Sequence, residues 1–186
     1  MDPRDADPSA PPPPARPLTG PAPGLEYATF GGRFIAYVID VIILGLITGA
    51  VSAVTGIGLI GFYGLGAFGI GRRLFEFGGG AVVFALIAAV LSGLYFVYFW
   101  THSGATPGQS FLGLEVRNAA DGTRLTQDQS IRRWAFLTVP FVSVFPVIGA
   151  LVLLYQFFLA YTTTTDPAHQ GFHDKQAGTV VVRRAA

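Results

Sequence analysis

Residues 33–55 read RFIAYVIDVIILGLITGAVSAVT, and Asp40 is the only charged side chain between Arg33 and Arg72. Roughly 20 apolar residues cross the hydrocarbon core of a bilayer, so this run predicts a membrane-spanning helix. A carboxyl group inside it costs roughly 2.5–3.5 kcal/mol at the bilayer centre on insertion scales. It persists there only with a partner, a wet cavity or a proton to carry. Arg33 lies seven residues earlier, on the same helix face and about 10 Å away along the axis. The pair marks a polar site inside a membrane protein.

The rest of the chain agrees. Hydrophobic residues make up 51% and charged residues 12%, against about 25% charged in ordinary globular domains. Residues 41–71 carry no charge, residues 77–114 none apart from His102, and residues 134–165 none. Each gap exceeds one bilayer crossing. There is no cysteine, which excludes disulfides, thiol catalysis and thiolate metal sites. Residues 1–25 hold nine of the thirteen prolines and predict a disordered, partly polyproline tail.

These patterns predict an all-α membrane protein. Helix 34–55 is the first span, and helix 80–101 the second, ending in the aromatic cluster Tyr95, Phe96, Tyr98, Phe99 and Trp100 at a headgroup layer. A polar loop, 102–130, carries a β-hairpin-like element, with FLGLEVR and TRLT flanking the turn 118–122. Thr126 and Gln129 read as a capping box opening a helix at about residue 127. Segment 131–161 is interrupted by Pro140 and Pro146, so it either spans once or turns back at the prolines. A C-terminal tail, 162–186, follows. Arg117, Arg124, Arg132 and Arg133 in the loop and Lys175, Arg183 and Arg184 in the tail favour both on the cytoplasmic side. That makes the third segment re-entrant, puts the N-terminus in the cytoplasm, and lets TVVVR pair as a strand with LEVR.

Four motifs, GGRFIAYVIDVIIL, TPGQSFLGLEV, NAADGTRLT and GFHDKQAGTVVVR, occur in this order over residues 27–184. Together they resemble the RDD family of bacterial integral membrane proteins, named for one arginine and two aspartates. On this chain those residues are Arg33, Asp40 and Asp174. The resemblance implies transmembrane helices and suggests transport, with cation/proton exchange linked to some members. Gln109 departs from the lysine common in that motif.

The candidate polar site is therefore Arg33, Asp40 and Asp174. Two readings stand beside each other. In one, Asp40 is the cation or proton site of a small transporter or exchanger subunit, oligomeric because so few helices cannot enclose a pathway. In the other, the three residues are structural clasps of a non-catalytic scaffold or accessory protein. Expected partners are the bilayer, further copies of the chain or another membrane protein, and a monovalent cation or proton. His169 and His173 are spaced for a metal, but with no third strong ligand they read as a polar loop. Gln156 reads as an interhelical hydrogen-bonding residue, and Arg132, Arg133 and Trp134 as a helix entering the membrane. No nucleotide, hydrolase or metalloprotease motif occurs. The sequence thus predicts no enzyme, cofactor, metal centre or nucleic-acid partner.

Overall fold

A computed structural model describes residues 20–55, 70–138 and 146–185. The chain is mostly helical, with a small three-stranded sheet gathering segments from its beginning, middle and end. Strand β1, Leu25–Tyr27, precedes the long helix α1, Phe30–Thr55. Helix α2 spans Ile70–His102, and the short helix α3, Pro107–Phe111, leads into β2, Leu114–Asn118. Helices α4, Gln127–Thr138, and α5, Pro146–Thr165, are followed by α6, Phe172–Ala177, and β3, Thr179–Arg184.

Strand β3 lies in the middle, antiparallel to both neighbours. Val116 faces Val181 across one ladder, and Tyr27 faces Val182 across the other. The β-branched run Val180–Val181–Val182 is fully buried, as suits a central strand. The pairing of LEVR with TVVVR is present, but the β-hairpin is not. Residues 123–126 form no strand, and β3 takes the position expected of TRLT. Residues 20–25, read as the end of a disordered tail, instead make a turn and enter β1. The loop 102–130 likewise contains α3 and β2, and the tail 162–186 holds the end of α5, α6 and β3.

Helix α1 contains a 22-residue stretch, Phe30–Val51, with mean hydropathy 2.4, long and apolar enough to cross a membrane. Only a narrow stripe of it is buried: Ala36, Asp40 and Leu44, at i, i+4 and i+8. Phe34, Ile35, Val38, Ile42 and Leu46 point outward. Helix α2 repeats the pattern. Leu86, Val90, Leu94 and Tyr98 form an exposed stripe, while Phe96 and Trp100 sit in the core. The aromatic end of α2 is therefore packing first: of that cluster only Tyr98 is largely exposed.

Helix α2 begins ten residues earlier than expected, continuing through Gly78–Gly79–Gly80. Three glycines lower helix propensity, yet the helix runs through them. Thr126 and Gln129 do form the capping box: each backbone N–H donates to the other's side-chain oxygen, at 3.1 and 3.2 Å. Pro146 does not break a helix. It opens α5 at the first turn, where proline fits. Pro140 and residues 56–69 lie outside the described residues.

Candidate functional site

The carboxyl group of Asp40 is 1% exposed and, among the described residues, is held by neutral donors. Tyr95 Oη of α2 donates to Oδ1 at 2.7 Å, and the Gly108 backbone N–H donates to the same oxygen at 2.9 Å. Thr106 Oγ1 donates to Oδ2 at 2.5 Å. Local sequence builds this cradle. Thr106 caps α3, Pro107 occupies its first turn, and Gln109 completes a capping box. Gln109 Oε1 accepts from the Thr106 N–H and from Trp100 Nε1, both at 3.0 Å. A Cβ on Gly108 would lie 2.3 Å from the Ala36 carbonyl oxygen and 2.9 Å from the Asp40 carboxyl carbon. Only glycine lets α3 approach α1 so closely.

Arg33 does not pair with Asp40. Its guanidinium reaches to the far end of the chain, where Nη1 donates to Asp174 Oδ2 at 2.9 Å. Nη2 donates to the Val181 carbonyl at 3.0 Å and Nε to the Ala28 carbonyl at 3.2 Å. A shared helix face fixes only which way two side chains leave the helix. Arg33 has three acceptors in this polar layer, while Asp40 meets hydroxyls one to two turns deeper. Nor does Arg33 snorkel to lipid, since its side chain is only 10% exposed.

Asp174 is fully buried. It sits in the first turn of α6, where its side chain accepts the Gly171 N–H at 3.0 Å. It also pairs with Arg133 of α4. The Arg133 Nη1 further donates to Thr179 Oγ1 at 2.7 Å, and its guanidinium lies 5.0 Å from the centre of the Trp100 ring. Sequence reading missed Arg133, treating Arg132–Arg133–Trp134 as one interfacial anchor. The structure divides the three. Arg132 is exposed and pairs with Asp128 at 2.9 Å, Arg133 is buried, and Trp134 Nε1 donates to Ser92 at 3.1 Å. The inward spacing Ser130, Arg133, Trp134, Leu137 is a helical i, i+3, i+4, i+7 stripe and was the available signal.

His173 lies against this cluster, with Nε2 3.6 Å from Asp174 Oδ2. Burial, with the charges of Arg133 and Arg33, holds its pKa well below the ordinary histidine range, so the ring is neutral. His169 follows α5 in a left-handed backbone conformation (φ 51°), with Nδ1 3.3 Å from the Thr163 carbonyl oxygen. Among the described residues no group of three acidic, histidine or cysteine side chains could hold a metal. Of the candidate trio, then, Arg33 and Asp174 are joined directly and Asp40 is bound separately.

The arrangement defines a helical protein with a membrane-grade first helix, locked to a small sheet by buried carboxyl groups. Residues 27–178 match the model of the RDD family, and the chain belongs to that family. It is also 31% identical over 90 residues to the uncharacterized protein RP437 of Rickettsia prowazekii (strain Madrid E), an alignment covering 48% of this chain and 42% of that protein. The chain thus spans less than half the length of this curated relative. No solved structure matches it.

Proposed function

We propose that this chain is a multi-pass protein of the cell membrane acting as a non-catalytic scaffold or accessory subunit, in which Arg33, Asp40 and Asp174 are structural clasps. The observation that carries this reading is the Asp40 cradle. Both of its oxygens accept hydrogen bonds from other elements, so most of the carboxylate's accepting capacity already serves to join helices. Asp40 ties α1 to α2 and α3, and Arg33–Asp174–Arg133 ties α1 to α4 and α6. The outward apolar stripes of α1 and α2, and exposed Leu151, Leu154 and Phe157 on α5, support burial of all three helices in lipid.

The sheet supports a topology. Strands from before α1, between α2 and α4, and after α5 meet in one layer, which calls for an even number of crossings between successive strands. The segment α4–α5 then leaves and returns on one side. The basic residues Arg117, Arg124, Arg183 and Arg184 lie on or beside that layer, so the positive-inside rule assigns it to the cytoplasm. Because the chain has no cysteine, Arg184→Cys tests this directly. Labelling by an impermeant thiol reagent only after cells are opened is expected; labelling of intact cells would overturn the topology.

The transport reading is favoured by one observation: Asp40 lines a cavity that Arg33 also lines. Asp40→Asn separates the two readings. As a clasp it lowers thermal stability in detergent, and no cation-dependent flux is found in proteoliposomes of the unaltered chain. As a cation or proton site it abolishes a measurable flux while the protein stays folded.

A further inference from the structure

Arg33, Asp40, Gln109, Arg133, Gln156 and His173 all face one cavity of about 300 Å³ whose remaining wall, Thr163 apart, is aromatic and aliphatic. That volume lies at the small end of ligand sites, which run roughly 300–1,000 Å³ and typically combine apolar walls with a few polar groups. Phe34 of α1 and Phe157 of α5 also line it and are 55% and 72% exposed. Its mouth therefore opens between those helices, on the side where their apolar stripes face outward.

The polar groups of this cavity are not fully satisfied. Among the described residues, three buried side-chain nitrogens have no hydrogen-bond partner: Arg133 Nε, Gln156 Nε2 and His173 Nδ1. All three residues belong to the cavity wall. Buried polar atoms are nearly always paired, and a cluster of exceptions calls for a reason. Two of the three atoms, on Arg133 and Gln156, are obligate donors. Arg33 and Arg133 share one carboxylate, Asp174, and neutral His173 adds no charge. Asp40, an acid in the wall itself, accepts from Tyr95, Thr106 and Gly108. The donors of Arg33 are committed to Asp174 and two carbonyls, whereas Arg133 Nε is not.

We propose that the cavity binds an anionic lipid, its oxyanion head against Arg133 and Gln156 and its chain leaving between Phe34 and Phe157. An acceptor oxygen answers the unpaired donors, a negative charge makes the bond to the Arg133 guanidinium charge-assisted, and an apolar chain matches the wall and the lateral mouth. This inference rests on the membrane reading of α1 and goes beyond it by naming a ligand class.

The full chain in nanodiscs tests it through Trp100, which lines the cavity. Phospholipids with one brominated chain and either an anionic phosphatidylglycerol or a zwitterionic phosphatidylcholine head are titrated as quenchers. Saturable extra quenching by the anionic lipid is expected. Gln156→Leu, which removes a nitrogen that holds nothing in place, should weaken it about tenfold, the equivalent of one hydrogen bond to a charged group. Its unchanged or raised melting temperature shows that the fold survives. Identical curves for the two heads, or an unaltered curve in folded Gln156→Leu, overturns the proposal. So does stabilisation by inorganic phosphate without head-dependent quenching, which identifies a free anion as the ligand. A chain that fails to insert into bilayers sinks the membrane reading with it; one that inserts without headgroup preference sinks this inference alone.

Discussion

Asp40 and Asp174 are both buried to 1% exposure or less, yet they are accommodated by opposite means. Asp40 is surrounded by two hydroxyls and a backbone N–H. Asp174 lies between two guanidiniums beside a neutral imidazole. The first arrangement sits among the apolar helices and brings no second charge to desolvate. The second sits where α1, α4, α6 and β3 converge, and there two arginines must be desolvated as well. The comparison teaches that the neutral cradle is divisible, donor by donor, while the ionic one fails as a unit.

The largest effect should come from breaking the ionic cluster. Asp174→Ala leaves Arg33 and Arg133 facing each other, buried and uncompensated. Removing one partner of a buried ion pair costs about 3–5 kcal/mol, so the variant is expected to accumulate poorly and to unfold early in a denaturant titration. Asp174→Ala at wild-type stability would refute the clasp. Gln109→Lys sharpens the neutral side. Lysine accepts no hydrogen bond, so the Trp100 and Thr106 N–H groups both lose their acceptor, at about 1–3 kcal/mol for each group left unsatisfied. Gln109→Glu keeps an acceptor and should be milder by the same thermal measurement. Tyr95→Phe removes a single donor to Asp40 and should cost about 1.5–3 kcal/mol, the range for hydrogen bonds to charged groups. A loss as great as that of Asp174→Ala would erase the contrast between the two sites.

Much of this was legible in the chain. The isolated acid in an apolar run, the capping box at Thr126 and Gln129, and the pairing of LEVR with TVVVR follow from composition, spacing and β-branching. The partner of Arg33 did not follow. Helical spacing placed Arg33 near Asp40, but its real partner is 141 residues away and is brought there by the sheet. Thr106–Pro–Gly–Gln109 has the same Ser/Thr-x-x-Glu/Gln form as the box at 126–129. Its role was hidden because it opens a helix of only five residues. Arg132 and Arg133 look alike in sequence, yet adjacent helical positions point about 100° apart, so one reaches solvent and the other the core.

The smallest expected effect concerns pH and belongs to the ionic side alone. His173 is buried and neutral, with its pKa depressed by burial, Arg133 and Arg33. In the unfolded chain it titrates near its ordinary value of about 6.5. Below that pH the unfolded state binds a proton that the folded state refuses, so stability is complete above about pH 6.5 and falls as the pH drops. The slope is at most about 1.4 kcal/mol per pH unit. Denaturant unfolding between about pH 7 and 5 keeps carboxylate titration minor, and His173→Gln should flatten the slope there. Tyr95→Phe, which disturbs only the neutral cradle, should shift the whole curve without changing its steepness. If the two variants instead alter the slope equally, the two carboxyl sites titrate as one system, and the division between them fails.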